Sequence, residues 1–320
     1  MSILLREDLV SMNTTDKIYV AGHKGLVGSS LVRALREQGY KNLVLKTRQE
    51  LDLTHFYDVE KFFQLEKPDY VFLAAAKCGG IADNIAHPVE FLKENLNIQN
   101  NIIHNAHVYK TKKLMYLGSA CIYPRECPQP IKEEYLMTGP LEPTNESYSL
   151  AKIAGIKLCE AYYKQYGDKF ISVQPSNVYG PGDDFTPQTS HVIGALISKF
   201  HGAKRMEMDS VECWGTGSAR REFIFVEDLA DALIYVMNNY DDPEIINIGV
   251  GEDVSIKELV SHIMDVIEYE GNITWDLDKP DGMPQRLLDT TKLRGLGWKP
   301  KTPLDQGLQL AYEYYKLGVK

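Results

Sequence analysis

Short apolar runs alternate along this chain with segments whose apolar residues recur every three or four positions. Residues 17–22 (KIYVAG) read as a strand closed by glycine. Leu31, Val32 and Leu35 then repeat at helical spacing within 26–38, and Gly39 stops that helix. The same two periods predict strands at 42–45, 70–74, 113–117 and 170–173, and helices at 57–65, 89–109 and 147–166. Strand and helix in strict alternation specify a parallel sheet covered on both faces, an α/β fold of the doubly wound Rossmann type.

After Tyr179 this period is lost, and Pro, Gly, Asp and Thr crowd 180–188 and 276–284. The second half is expected to build a smaller C-terminal lobe over the strand ends, where open α/β sheets bind ligands. An apolar run at 223–226 and a helix at 227–238 return to the main domain. The expected division is an N-terminal tail (1–16), a dinucleotide-binding domain (17–178 with about 222–248) and a substrate-binding domain (179–221 with 249–320).

Composition narrows the class. No apolar run approaches the ~18–20 residues that span a bilayer. Residues 1–16 carry Arg6, Glu7 and Asp8 and lack the apolar stretch and cleavage site of a signal peptide. Cys78, Cys121, Cys127, Cys159 and Cys213 show neither metal-ligand spacing nor disulfide-like density, which points to a reducing cytoplasm. A formal net charge of −9 disfavours nucleic acid as a partner, because phosphate neutralisation needs clustered cations. Local arginines still permit an anionic small molecule.

The run Gly22-His23-Lys24-Gly25-Leu26-Val27-Gly28 lies between the first strand and the first helix. There backbone N–H groups and the helix dipole face a pyrophosphate, so the loop predicts a dinucleotide. An acid at the tip of the second strand would bind a ribose 2′-hydroxyl. Here the tip reads Leu45-Lys46-Thr47-Arg48, and Arg48 with Lys24 offers cations to a 2′-phosphate. The expected cofactor is NADP(H). Asp52 either contacts the adenine end or is an exposed turn acid.

Ser119 ends the fourth strand, and Tyr148 and Lys152, four residues apart, share one helix face. There the ammonium stabilises phenolate and draws the tyrosine pKa down from its reference near 10. A serine hydroxyl beside the phenol holds a carbonyl oxygen. This is equipment for reducing a ketone by hydride. Cys121 points the same way as Ser119 where the chain stays extended, and His191 opens an apolar helix in the second lobe. In order and spacing these residues resemble the extended short-chain dehydrogenases/reductases. With residues 141–146, 151–160 and 279–282 they resemble the GDP-L-fucose synthase family, from residue 17 nearly to the C-terminus.

The resemblance implies a bifunctional 3,5-epimerase and 4-reductase acting on GDP-4-keto-6-deoxy-D-mannose or a close GDP-sugar, or a 4-reductase alone on a related GDP-hexose or GDP-heptose. A C4 ketone acidifies C3 and C5, and Cys121 and His191 supply the acid–base pair that inverts them. Ser119 and Tyr148 hold the enolate oxygen, and Tyr148 with Lys152 serves the reduction. Leu117, Gly118, Ser119, Pro175, Ser176, Asn177, Val178 and His191 line the cofactor. Arg221 meets the substrate diphosphate, as does Lys199, where family members often have arginine. Trp214 packs on the nucleotide or fills core, and Asp281 bonds substrate or shapes a Pro-Asp-Gly turn. Gly194 and Ser147 stand where the family commonly has proline, and glycine loosens a helix start. The family's homodimers imply a second copy packed on helices 89–109 and 147–166.

Overall fold

Apolar runs too short for a helix and bounded by turn residues become strands, and these build the frame of the computed structural model, which describes residues 9–186, 189–279 and 281–318. Residues 1–8 of the expected tail, and Pro280 of the expected turn, lie outside the described residues. The first half runs β1 (Ile18–Ala21), α1 (Leu26–Glu37), β2 (Leu43–Val44), α2 (Phe56–Glu66), β3 (Tyr70–Leu73), α3 (Ile81–Ala86), α4 (Pro88–Val108), β4 (Lys113–Leu117), α5 (Glu146–Tyr166) and β5 (Lys169–Pro175). The second half runs β6 (Asn177–Tyr179), α6 (Val192–Arg205), β7 (Ser210–Trp214), β8 (Arg220–Arg221), β9 (Phe223–Phe225), α7 (Val226–Asn239) and β10 (Ile246–Ile248). It ends with β11 (Val254–Ser255), α8 (Ile256–Ile267), β12 (Asn272–Asp276), β13 (Gln285–Arg286), α9 (Thr291–Leu296) and α10 (Leu304–Lys316).

The main sheet has the order β10-β5-β4-β3-β1-β2, with every pair parallel. Its central strands are buried from end to end, as a sheet covered on both faces requires. Leu31, Leu35, Leu229 and Leu233 pack on one face, and Val59, Phe63, Ile102 and Ile156 on the other. A third core, around Phe200, Leu259, Ile263 and Leu308, belongs to the smaller lobe.

The return to the main domain differs from the expectation in one respect. The apolar run at 223–226 does not join the main sheet, because β9 pairs with β6 in a two-stranded sheet of its own. The helix that follows, α7, does pack on α1. The main sheet is closed instead by β10, in register Ile246↔Val173. Residues 9–16 are a strap rather than a loose tail. Val10 N–H donates to Asp241 at 3.0 Å, Met12 N–H to Asn238 at 2.8 Å and Tyr70 Oη to the Ser11 carbonyl at 2.8 Å.

Candidate active site

α1 starts without a side-chain cap, so the amides of Leu26, Val27 and Gly28 have no intrahelical partner. Gly22 sits at φ +86°, and a Cβ on Gly28 would collide with the Gly22 carbonyl. Only glycines let the loop fold this tightly and leave those amides facing outward. Among the described residues His23 Nδ1, and Gln174 Nε2 and Ser176 Oγ at the end of β5, are buried without a hydrogen-bond partner. A bare helix N-terminus and orphaned polar atoms at strand ends fit a dinucleotide.

Lys24 and Arg48 are exposed, and Arg48 lies 4.0 Å from the Asp52 carboxylate and 3.5 Å from that of Glu94. Asp52 Oδ1 accepts from the Thr54 amide at 2.9 Å and hydroxyl at 2.8 Å, which is the behaviour of a turn acid. The tip of β2 is not free of acids. Glu50 folds back to accept from Thr47 N–H at 2.8 Å and Thr47 Oγ1 at 2.7 Å, and these bonds hold its carboxyl below the usual range.

At the end of β4, Ser119 N–H donates to Gln174 Oε1 at 2.9 Å. Ser119 Oγ accepts from Cys121 N–H at 3.2 Å and caps a 3₁₀ turn, Ala120–Ile122. The chain therefore does not stay extended between Ser119 and Cys121, because a serine hydroxyl offers the backbone a local partner in place of the strand ladder. Tyr148 and Lys152 lie on the first turns of α5, with Lys152 Nζ 5.7 Å from the Tyr148 ring centre. That ammonium donates to the Leu117 carbonyl at 2.7 Å, and burial lowers its pKa to about 8. Burial pushes the Tyr148 pKa well above 10, and the sulfurs of Cys78 and Cys121 add to the shift. The expected lowering is thus absent. The ammonium stands over the ring with its proton on a carbonyl, and desolvation penalises both charged forms. Tyr148 is held as a phenol, which is the proton-donating state.

Cys121 is half-buried, and Arg286 Nη1 donates to its sulfur at 3.3 Å. Arg221 donates to the carbonyls of Arg220 at 2.8 Å and Asp281 at 3.4 Å. Burial, with Arg286 nearby, lowers its pKa to about 10. Cys78 Sγ lies 3.8 Å from Tyr148 Oη. Its loop continues to Gly80, against which the Ser190 carbonyl lies, one residue before His191. His191 is solvent-exposed at the N-terminus of α6, yet the protein packed around it still lowers its pKa against the pull of Asp184. Gly194 does more than loosen that helix. A Cβ there would collide with the Asp184 carbonyl, so glycine admits the loop that sets α6.

Ser119, Cys121, Tyr148 and Lys152 are therefore brought together. Other expected residues are engaged elsewhere: Asp281 accepts from Thr216 N–H at 2.8 Å and Thr216 Oγ1 at 2.7 Å, and Lys199 donates to the Glu212 carbonyl. Trp214 is 61% exposed, with Lys279 Nζ 5.6 Å from its ring, so it fills no core.

Residues 18–249 match the model of the NAD dependent epimerase/dehydratase family. The chain belongs to that family. It is 54% identical over 303 residues to GDP-L-fucose synthase 1 of Arabidopsis thaliana, covering 95% of this chain and 94% of that protein. It is 46% identical over 308 residues to GDP-L-fucose synthase of Escherichia coli, covering 93% and 96%. A GDP-mannoheptose C4 reductase from Campylobacter jejuni, solved with NADP bound, superposes with TM-score 0.88 at 44% identity, covering 96% and 100%.

Sequence reasoning missed Arg286 and Cys78. Arg286 lies on a two-residue strand that no period reveals. Cys78 had a usable signal: it follows β3 and precedes Gly79-Gly80, at the strand ends where the other site residues gather.

Proposed function

We propose that the protein converts GDP-4-keto-6-deoxy-D-mannose to GDP-L-fucose, inverting C3 and C5 and then reducing C4. The observation that carries this reading is a sulfur, Cys121, that accepts from Arg286 and lies near enough to Tyr148 to shift its titration. A plain ketone reductase has no use for an acid–base group there. Cys121 and His191 move protons at C3 and C5 while Ser119 and Tyr148 hold the C4 oxygen, whose negative charge grows as each proton leaves. NADPH supplies the hydride to C4. Tyr148, held neutral by burial, gives its proton to that oxygen, and Lys152 offsets the phenolate left behind.

The open amides of Leu26, Val27 and Gly28 take the cofactor pyrophosphate, and Arg48 and Lys24 take the 2′-phosphate. Leu117–Ser119 and Pro175–Val178 line the nicotinamide. Arg221 and Arg286 take the substrate diphosphate, with Lys199 and Trp214 at the nucleotide end. Residues 17–178 with 222–248 thus hold the cofactor, and 179–221 with 249–320 the sugar. The same reading places a cytoplasmic homodimer on α4 and α5, where Val108, Leu150 and Tyr166 stay exposed. No described helix is long and apolar enough to cross a membrane.

The test is incubation with GDP-4-keto-6-deoxy-D-mannose and NADPH in D₂O, followed by NMR. GDP-L-fucose with deuterium at C3 and C5 is expected. A 6-deoxy product with both centres unchanged and unlabelled would leave only the C4 reductase reading, which the Campylobacter relative makes the next candidate.

A further inference from the structure

β8 and β13 are each two residues long, and they pair in the register Arg286↔Arg221. So short a ladder holds its strands weakly, yet it sets two guanidinium groups side by side next to Cys121. The residue between β8 and β9 is Glu222, whose side chain is fully buried. Its Oε1 accepts from Gly251 N–H at 2.6 Å and its Oε2 from Leu288 N–H at 3.0 Å. Its own N–H donates to the Arg286 carbonyl at 3.3 Å. Its carbonyl accepts from Asn177 Nδ2 at 2.8 Å, on the cofactor side of the cleft. One residue, next in sequence to Arg221, thus ties its own backbone to Arg286 and its carboxylate to Leu288, two positions further on, and to the loop at Gly251. Burial raises its pKa to about 7, with Asp253 adding to the shift.

We propose that Glu222 is the positioning residue that holds Arg286 on the Cys121 sulfur and Arg221 beside it, and so sets the sugar-nucleotide end of the site. The proposal rests on the GDP-sugar reading only in naming what the arginines bind. Glu222→Gln keeps one acceptor but turns an NH₂ toward a backbone donor. Glu222→Asp keeps the charge but draws the carboxylate back by a methylene, and it serves as the test if the glutamine variant does not fold.

Two readouts separate this proposal from the functional reading. Carboxymethylation by iodoacetate, followed on the Cys121 and Cys78 peptides by mass spectrometry, needs no sugar. Cys121 labelling is expected to slow about fivefold in the variant, because the anionic reagent loses its cation at the sulfur, while Cys78 labelling changes less than about twofold. In turnover, the GDP-sugar KM is expected to rise about tenfold with kcat and the NADPH KM little changed, the mark of lost uniform binding. Unchanged Cys121 labelling overturns the proposal. So does a common shift of both peptides and both KM values, which is what general loosening produces. Failure of the wild type to turn over the sugar refutes the functional reading, and the labelling still decides Glu222.

Discussion

Replacing Lys152 with methionine should separate stability from catalysis and reveal the sign of one titration. The ammonium is buried, and its pKa falls from 10.5 to about 8. That difference is ~3 kcal/mol of penalty on the charged form. Loss of the bond to the Leu117 carbonyl costs the variant roughly 1.5–3 kcal/mol, so near pH 7 the two proteins should be of similar stability. The folded pKa lies below the unfolded one. The folded state therefore sheds its penalty as pH rises through about 8, while the unfolded chain stays protonated up to 10.5. Wild-type stability from this group rises with pH, and by about pH 9.5 the gain is ~2 kcal/mol. Urea denaturation of both proteins near pH 7 and at about pH 9.5 should show the margin moving by that amount toward the wild type. Ketone reduction by the variant should drop at least ~100-fold, and wild-type reduction should decline above pH about 8 as the ammonium is lost. A margin that stays constant with pH, or a reduction rate that holds level to about pH 9, would refute the reasoning.

Further outcomes are expected elsewhere in the molecule. Cys121→Ser should cut deuterium uptake at C3 and C5 by ~100-fold or more, measured by NMR in D₂O, because the hydroxyl is a far poorer acid–base group near neutrality. Arg48→Ala should raise the NADPH KM about tenfold while leaving that for NADH nearly unchanged, since only the former carries the 2′-phosphate. Asp241→Asn should destabilise the fold by ~3 kcal/mol in urea, because it leaves the fully buried Lys113 ammonium without its carboxylate.

What was legible in the sequence was local and periodic. The strands of the first half, its helices other than the short α3, the glycine loop and the Tyr148–Lys152 spacing follow from patterns a few residues long. What escaped was set by distant neighbours. β10 has three residues and becomes a strand because β5 lies open beside it. The 3₁₀ turn after Ser119 forms because a hydroxyl reaches an amide two residues on. The direction of the Tyr148 shift is set by burial, with Cys78 and Cys121 from distant loops adding to it. Arg286 reaches Cys121 from 165 positions away, through a strand too short to show a pattern.

The chain leaves the main sheet after β5, builds part of the smaller lobe, returns in β10 and departs again for β11 to β13. No single cut therefore separates the half that would hold the dinucleotide from the half that would hold the sugar. A contiguous gene segment that carries the whole of the smaller lobe also carries β10, so moving the lobe intact replaces an edge strand of the sheet.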